Sequence, residues 1–172
     1  MRRAPGLIAT PPEDTVVAAL EACHERIRRF GGLAERVAVE AATDAERAEA
    51  AAAVVRYFAV ALPLHAADED RSLAPRLVGR DAALDAALAR MTADHAEHAA
   101  VLDPVVALCR QLAAAPATHA ALAPTLAPAA AAMVAAFAAH LALEEAIVFP
   151  AVAALPAAVQ RELRAEMLAR RG

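Results

Sequence analysis

The chain has 172 residues, enough for one domain with a substantial core and too few to favour two. Apolar residues make up 60% of it, aromatic residues only 3%, and glycine occurs five times. Alanine, leucine, arginine and glutamate dominate, and these residues favour helices over strands. The net charge of −4, without a basic stripe, argues against nucleic acid and anionic membrane surfaces as partners. The composition therefore predicts an all-α domain.

Three further features concern where the protein works. The segment after the basic Met1–Arg3 is too short and broken for a signal-peptide core. The uncharged stretch 113–143 contains prolines and histidines and runs directly into Glu144, which argues against a membrane span. The two cysteines, Cys23 and Cys109, form no spaced cluster and suit a reducing compartment. We therefore expect a cytoplasmic protein.

The first helix is predicted to follow a flexible tail. Residues 1–12 are assigned to that tail and residues 13–172 to the helical domain. Thr15 follows two acidic residues and is a suitable N-cap. A helical face then recurs at steps of three and four residues, at Val17, Leu20, His24 and Ile27. The sequence leaves open whether Gly31–Gly32 ends this helix or lies inside it.

Two more helices are predicted from Thr43, which opens a capping-box sequence, and from about Asp81. Pro63 is expected to kink the second helix, and Pro75 with Gly79 marks the turn after it. The inner stripe of the second helix is Val55, Phe58, Leu62, His65 and Glu69. That of the third is Leu84, Leu88, Met91, His95, His98, Leu102 and Val105.

The fourth helix is predicted after Pro116, with Pro150 closing or kinking it. Its inner stripe is Met133, Phe137, His140, Glu144 and Val148. A short amphipathic segment, 157–170, is expected to pack outside the bundle or to fray. Four long amphipathic segments with short connections predict an up-down-up-down four-helix bundle with a short C-terminal helix.

Each of the four inner stripes carries a histidine, and two of them also carry a glutamate. A single histidine on an apolar face is usually structural, but unpaired polar groups buried on all four helices would cost about 1–3 kcal/mol each. The arrangement His-x-x-x-Glu occurs twice, from His65 and from His140, each time with a proline ten residues after the histidine. Residues four apart share one helix face, so two such pairs favour a two-metal site.

These residues resemble the hemerythrin/HHE cation-binding family over about residues 19–155. That family has a histidine on its first helix, His-x-x-x-Glu on its second, one or two histidines on its third, and a histidine with a carboxylate on its fourth. The matching stretches are Cys23–Ile27, Leu62–Glu69, Asp94–His95 and His140–Pro150. The resemblance implies metal ligands at His24, His65, Glu69, His95, His140 and Glu144, with both glutamates bridging.

The third and fourth helices depart from the pattern of oxygen-carrying hemerythrins. Those proteins have two third-helix histidines four apart and a fourth-helix aspartate five residues after its histidine. Here His95 and His98 are three apart, and Glu144 is four residues after His140. His95 is favoured as the ligand, while His98 is a further candidate ligand or a partner of one. His119 is assigned to a loop or a helix start, away from the site.

Six or seven imidazole and carboxylate ligands in a bundle suit two six-coordinate irons, Fe2+ or Fe3+, with a bridging oxo or hydroxo group, better than zinc. The resemblance implies the same cofactor and a diatomic ligand, O2 or NO. Three functions are compatible with it. A binding protein or sensor for O2, NO or iron is favoured over an enzyme acting on peroxide, NO or ferrous iron, because no redox-active residue or partner domain is evident. A metal-free interaction bundle is disfavoured by the six well-placed ligands.

Overall fold

The computed structural model of the chain describes residues 15–172, so the tail predicted at 1–12 lies outside the described residues. Over residues 15–172 the structure is helical, with no strand. The helices are α1 Val16–Val39, α2 Asp44–Leu77, α3 Ala82–Ala114, α4 Pro116–Ala153 and α5 Ala157–Ala169. The predicted all-α fold class is confirmed.

The first four helices form the predicted up-down-up-down bundle. Helix α1 packs against α2 and α4, and α3 packs against the same two helices from the other side. Gly31 lies inside α1, which settles the question left open by the sequence. A Cβ at Gly31 would lie 3.1 Å from Val134 Cγ2, so the glycine allows α1 and α4 to approach closely.

Three of the helices begin with a capping side chain, which the sequence predicted for Thr15 and Thr43, and the third helix starts at Asp81 as expected. Thr15 accepts a hydrogen bond from the Ala18 amide at the start of α1. Thr43 and Glu46 form the complete capping box of α2, in which each side chain accepts from the backbone amide of the other. Asp81 accepts from two amides in the first turn of α3. These bonds satisfy helix-end amides that have no partner within the helix.

The bundle has two apolar clusters, one on each side of a polar layer. One contains Ile27, Phe58, Val105 and Phe137 with their neighbours. The other contains Leu20, Leu73, Met91 and Val148 with their neighbours. Each of the four long helices has an inner-stripe histidine, namely His24, His65, His95 or His140. On its helix, this histidine lies between a member of one cluster and a member of the other. The polar layer is therefore sealed above and below by apolar side chains.

Helices α2 and α4 are interrupted by π-helical turns, which the sequence analysis did not predict. The π segments are Tyr57–Ala61, Glu69–Leu73 and Glu144–Val148. Each is followed, two residues after its last member, by a proline: Pro63, Pro75 and Pro150. In a regular α-helix a proline ring meets the carbonyl four residues earlier. The wider π turn relieves that contact, so the helix continues through each proline.

Three predictions about where helices end, or how they pack, differ from the structure. Pro75 does not mark the turn after α2, because the helix continues to Leu77 and the turn follows at Gly79, which has a φ of +82°. Of the two outcomes predicted for Pro150, closing or kinking the helix, the first is excluded because α4 runs on to Ala153. The segment expected to pack outside the bundle or to fray is an ordered helix, α5, whose Leu163 and Met167 are fully buried in the second apolar cluster.

Helices α2 and α4 are also long and apolar enough to cross a membrane, judged by length and composition alone. Their most apolar windows have mean hydropathies of 1.5 and 1.9. Core helices of helical bundles share this property, and both helices turn a buried histidine and a buried glutamate toward the bundle interior. The hydropathy is weak ground for a membrane assignment, and the absence of a membrane partner stays a prediction.

Candidate metal centre

The structure brings six of the seven predicted ligand side chains together in the polar layer. Each of the four helices supplies one imidazole, and α2 and α4 each add a carboxylate four residues further along. All six are at least partly buried, with His95 the most accessible of them. The six residues are His24, His65, Glu69, His95, His140 and Glu144. The seventh, His98, lies outside this group.

The six side chains form two groups that share both carboxylates. His24 and His65 belong to one group and His95 and His140 to the other, while Glu69 and Glu144 belong to both. Within each group, one possible ligand atom from every residue lies within 4.8 Å of the others. The arrangement thus offers two neighbouring sets of possible ligand atoms, and both carboxylates contribute to each set.

Each carboxylate presents one oxygen to each group. Glu144 places Oε2 3.0 Å from His24 Nε2 and Oε1 3.0 Å from His140 Nε2. Glu69 places Oε1 3.2 Å from His65 Nε2 and Oε2 3.2 Å from His95 Nε2. The four imidazoles thus all direct Nε2 inward, and the two glutamates lie between the pairs.

Most of these inward atoms lack a hydrogen-bond partner in the described part of the chain, although they are buried. Both oxygens of Glu69 and of Glu144, and Nε2 of His24, His65 and His95, form no hydrogen bond within residues 15–172, because the close approaches between them lack hydrogen-bond geometry. Since each unsatisfied buried group costs about 1–3 kcal/mol, the layer is costly without a ligand. Metal cations would satisfy all of these atoms at once, so the residues present fit a pair of metal ions.

Further carboxylates lie beside the outward nitrogens of three imidazoles, those of His24, His95 and His140. His24 Nδ1 donates to Glu145 Oε1 over 2.8 Å, and Arg28 supports that carboxylate. His95 Nδ1 donates to Asp70 over 3.1 Å. A carboxylate only accepts, so the hydrogen resides on Nδ1 and the Nε2 lone pair is free to bind a metal.

The Nδ1 atoms of the other two inward imidazoles, those of His140 and His65, have different surroundings. His140 Nδ1 lies 3.3 Å from Asp94 Oδ2, and Arg90 forms an ion pair with the same aspartate. His65 Nδ1 is buried without a partner among residues 15–172. Burial lowers the pKa of His65 to about 3, so this imidazole is neutral at neutral pH, as a metal ligand must be.

The surroundings shift the pKa values of the two central carboxylates in opposite directions. Burial raises the pKa of Glu69 well above its usual value, and the charge of Glu144 raises it further. Burial also acts to raise the pKa of Glu144, but the imidazoles of His140 and His24 outweigh it and the pKa falls. Two carboxylates in one dry layer cannot both be charged at low cost, and bound cations would remove that conflict.

His98 is buried but is not brought into either group. Its ring packs on Phe137 with centroids 4.3 Å apart and edge-on to His140 at 4.8 Å. Burial, followed by the nearby His140, lowers the pKa of His98 to about 4. The geometry therefore favours His95 over His98 as the third-helix ligand. His119 begins the α-helical part of α4 and lies 3.0 Å from the Val37 carbonyl at the end of α1, away from the site, as predicted.

Asp68, Asp70 and Glu145 each adjoin one of the two central glutamates in the sequence. Asp70 and Glu145 bind imidazoles, whereas Asp68 binds Arg170 and Arg171, which directly follow α5. The role of Asp94 was missed. A carboxylate four residues after an arginine on the same helix was the available indication, but its partner His140 lies on another helix.

A four-helix bundle with two imidazole pairs joined by shared carboxylates defines a class of metal-binding bundle proteins. Comparison with protein-family models finds the hemerythrin HHE cation-binding domain over residues 15–152. The chain therefore belongs to the hemerythrin HHE cation-binding domain family, and the predicted resemblance is confirmed. No curated protein and no solved structure matches it significantly.

Proposed function

We propose that this protein holds two iron ions in the polar layer and binds O2 or NO beside them. The observation that supports the proposal is the sharing of Glu69 and Glu144 by two imidazole pairs. A single ion would need only one of the two groups and would leave the other pair of imidazoles without a partner. Membership of a cation-binding family supports the same conclusion.

The proposed exogenous ligand favours iron over zinc for this donor set. Each metal position is offered two imidazole nitrogens and two carboxylate oxygens. Four donors complete a tetrahedral zinc site but leave positions open on a six-coordinate iron. Open positions are what an exogenous diatomic ligand requires. A bridging oxo or hydroxo group would occupy one position on each ion and is part of the proposal.

The chain's own residues hold and isolate the ions. Glu145, Asp70 and Asp94 fix the tautomers and orientations of their imidazoles, which keeps the inward nitrogens ready to bind. The two apolar clusters exclude bulk water from both ends of the layer. Iron in its ferrous state would supply the electrons that make O2 binding possible.

A binding role is favoured over an enzymatic one. The chain's single tyrosine, Tyr57, is buried, stacks on Phe30 and donates its hydroxyl hydrogen to the Cys23 carbonyl. Its hydroxyl is therefore committed to the backbone rather than turned to the metal layer as a redox partner. This supports a binding or sensing protein, with a di-iron enzyme as the less favoured use of the same site.

Metal analysis of the reduced, anaerobically purified protein tests the proposal. We expect about two irons per chain, since the two groups define two positions. Exposure to O2 or NO should change the optical spectrum in the region of iron charge-transfer bands. Protein without iron, or with zinc alone after growth with both metals, would show the iron assignment to be wrong. Two irons without any spectral response to either gas would contradict only the ligand-binding part.

A further inference from the structure

A cavity of 360 Å³ lies beside the metal layer, between α2, α3 and α4. Three of the four inward imidazoles, those of His65, His95 and His140, line it. Most of its other inner surface is apolar, with Phe58, Leu62, Leu102 and Phe137 among the lining residues. The cavity therefore gives a small ligand access to the layer from one side, past a mainly apolar lining that also includes Asp70, Arg71 and Asp103.

His98 is a polar side chain of this cavity that has no structural partner. Only 8% of the residue is exposed, and its ring is held between Phe137 and His140. The hydrogen bonds of the neighbouring imidazoles go to Glu145, Asp70 and Asp94, and none found within residues 15–172 involves His98. A neutral imidazole has one N–H donor and one acceptor nitrogen, so both remain available.

The ring is fixed in place while its polar atoms remain free. A molecule bound in the cavity would therefore find a hydrogen-bonding nitrogen of His98 available to it. The position beside His140 places the ring next to the layer without bringing it into the group of possible metal ligands. A role as a purely apolar filler would be met better by leucine.

We propose that His98 is a ligand-contacting residue, whose ring N–H donates a hydrogen bond to a small anion, or to a ligand that gains negative charge, bound in the cavity beside the metal ions. This inference rests on the proposed function, because it requires an exogenous ligand at the metal centre. It adds a residue that selects the ligand by its charge. Small ligands that present a hydrogen-bond acceptor atom to His98 are favoured over ligands without one.

Azide is a suitable probe because it is a small anion that binds iron and changes its absorption. The experiment compares wild-type protein, His98→Leu and His98→Gln, each loaded with iron and oxidised to the ferric state. Leucine is preferred to alanine because the ring also borders a second cavity of 460 Å³, and a smaller residue would join the two. His119→Leu is the matched control, since His119 lies away from both cavities.

We expect unchanged iron content in His98→Leu and a rise in the dissociation constant for azide of about tenfold, as for the loss of one hydrogen bond to a charged group. His98→Gln should recover part of the affinity, because its amide can donate. His119→Leu should bind azide like the wild type. Equal azide affinity in His98→Leu and wild type would overturn the inference.

A second outcome would also overturn it. Loss of iron from His98→Leu would show that His98 is itself a metal ligand. Failure of the wild type to take up iron or to bind azide would instead count against the proposed function, and against this inference with it. The wild-type measurement therefore distinguishes the two failures.

Discussion

For the proposed pair of irons, we expect Glu144→Gln to prevent both ions from binding and not only one. The two oxygens of Glu144 face different imidazoles, His24 on one side and His140 on the other, each at 3.0 Å. Glutamine keeps the length of the side chain but has a single acceptor oxygen and an NH2 group that cannot bind a cation. One position loses one of its two carboxylate donors, and both positions lose a negative charge that would offset the charge of the ions.

Iron per chain, measured after identical anaerobic loading, checks this prediction, and circular dichroism shows whether the helices are retained. His24→Ala is the informative comparison, because His24 belongs to only one of the two groups. It should keep about one ion, and the exposed Glu162→Gln should keep about two. One ion retained by Glu144→Gln would show that the carboxylate is not shared.

The helices and six of the site residues could be predicted because both depend on a local pattern. Apolar residues at steps of three and four define the inner face of each helix, and a histidine on that face must enter the interior wherever the helix packs. The repeated His-x-x-x-Glu places its two side chains on one face by helix geometry alone. Four such faces in a closed bundle meet at the same depth.

The choice between His95 and His98 could not be made from the same pattern. Residues three apart differ by about 60° around the helix axis and by about 4.5 Å along it, so both lie on the inner face. Which one reaches the layer depends on the rotation and depth of α3 against its neighbours. The structure turns His95 Nε2 toward Glu69, at 3.2 Å, and packs His98 against Phe137.

The π turns were missed because a proline inside a helix has more than one structural outcome. Pro75 and Pro150 each follow a π turn that begins at a central glutamate, Glu69 or Glu144. Pro104 lies inside α3 without a π turn. The sequence shows a proline in each case, and only the packing around the helix decides whether the turn widens. Single π turns are often found at functional sites, and two of the three here begin at site residues.

The partners of Asp68 were also beyond sequence reasoning, because they lie about a hundred positions away, directly after α5. Asp68 precedes Glu69 and is completely buried. Arg170 donates to it over 2.7 Å and Arg171 over 2.6 Å. Both arginines lie after residue 152, where the family match ends. The two arginines, which lie outside the matched domain, thus neutralise the charge of Asp68 next to the polar layer.

Replacing both Arg170 and Arg171 by alanine will lower the free energy of unfolding by about 3 kcal/mol, since it leaves the buried carboxylate of Asp68 without a cation. The value is at the low end of the range for buried pairs because both guanidinium groups are partly exposed. For a chain of this size the midpoint of thermal unfolding should fall by about 6–12 °C. Urea unfolding of the metal-free protein measures the effect.

Adding Asp68→Asn to the double variant supplies the matched control, because asparagine is nearly the same size and carries no charge. If the buried charge causes the loss, the triple variant will recover much of the stability that the double variant lost. If α5 is held only by Leu163 and Met167, the double variant will unfold within about 0.5 kcal/mol of wild type. Two results together would show that the C-terminal segment stabilises the part of α2 that carries Glu69. The first is recovery of stability in the triple variant, and the second is slower release of iron to a chelator from the triple variant than from the double variant.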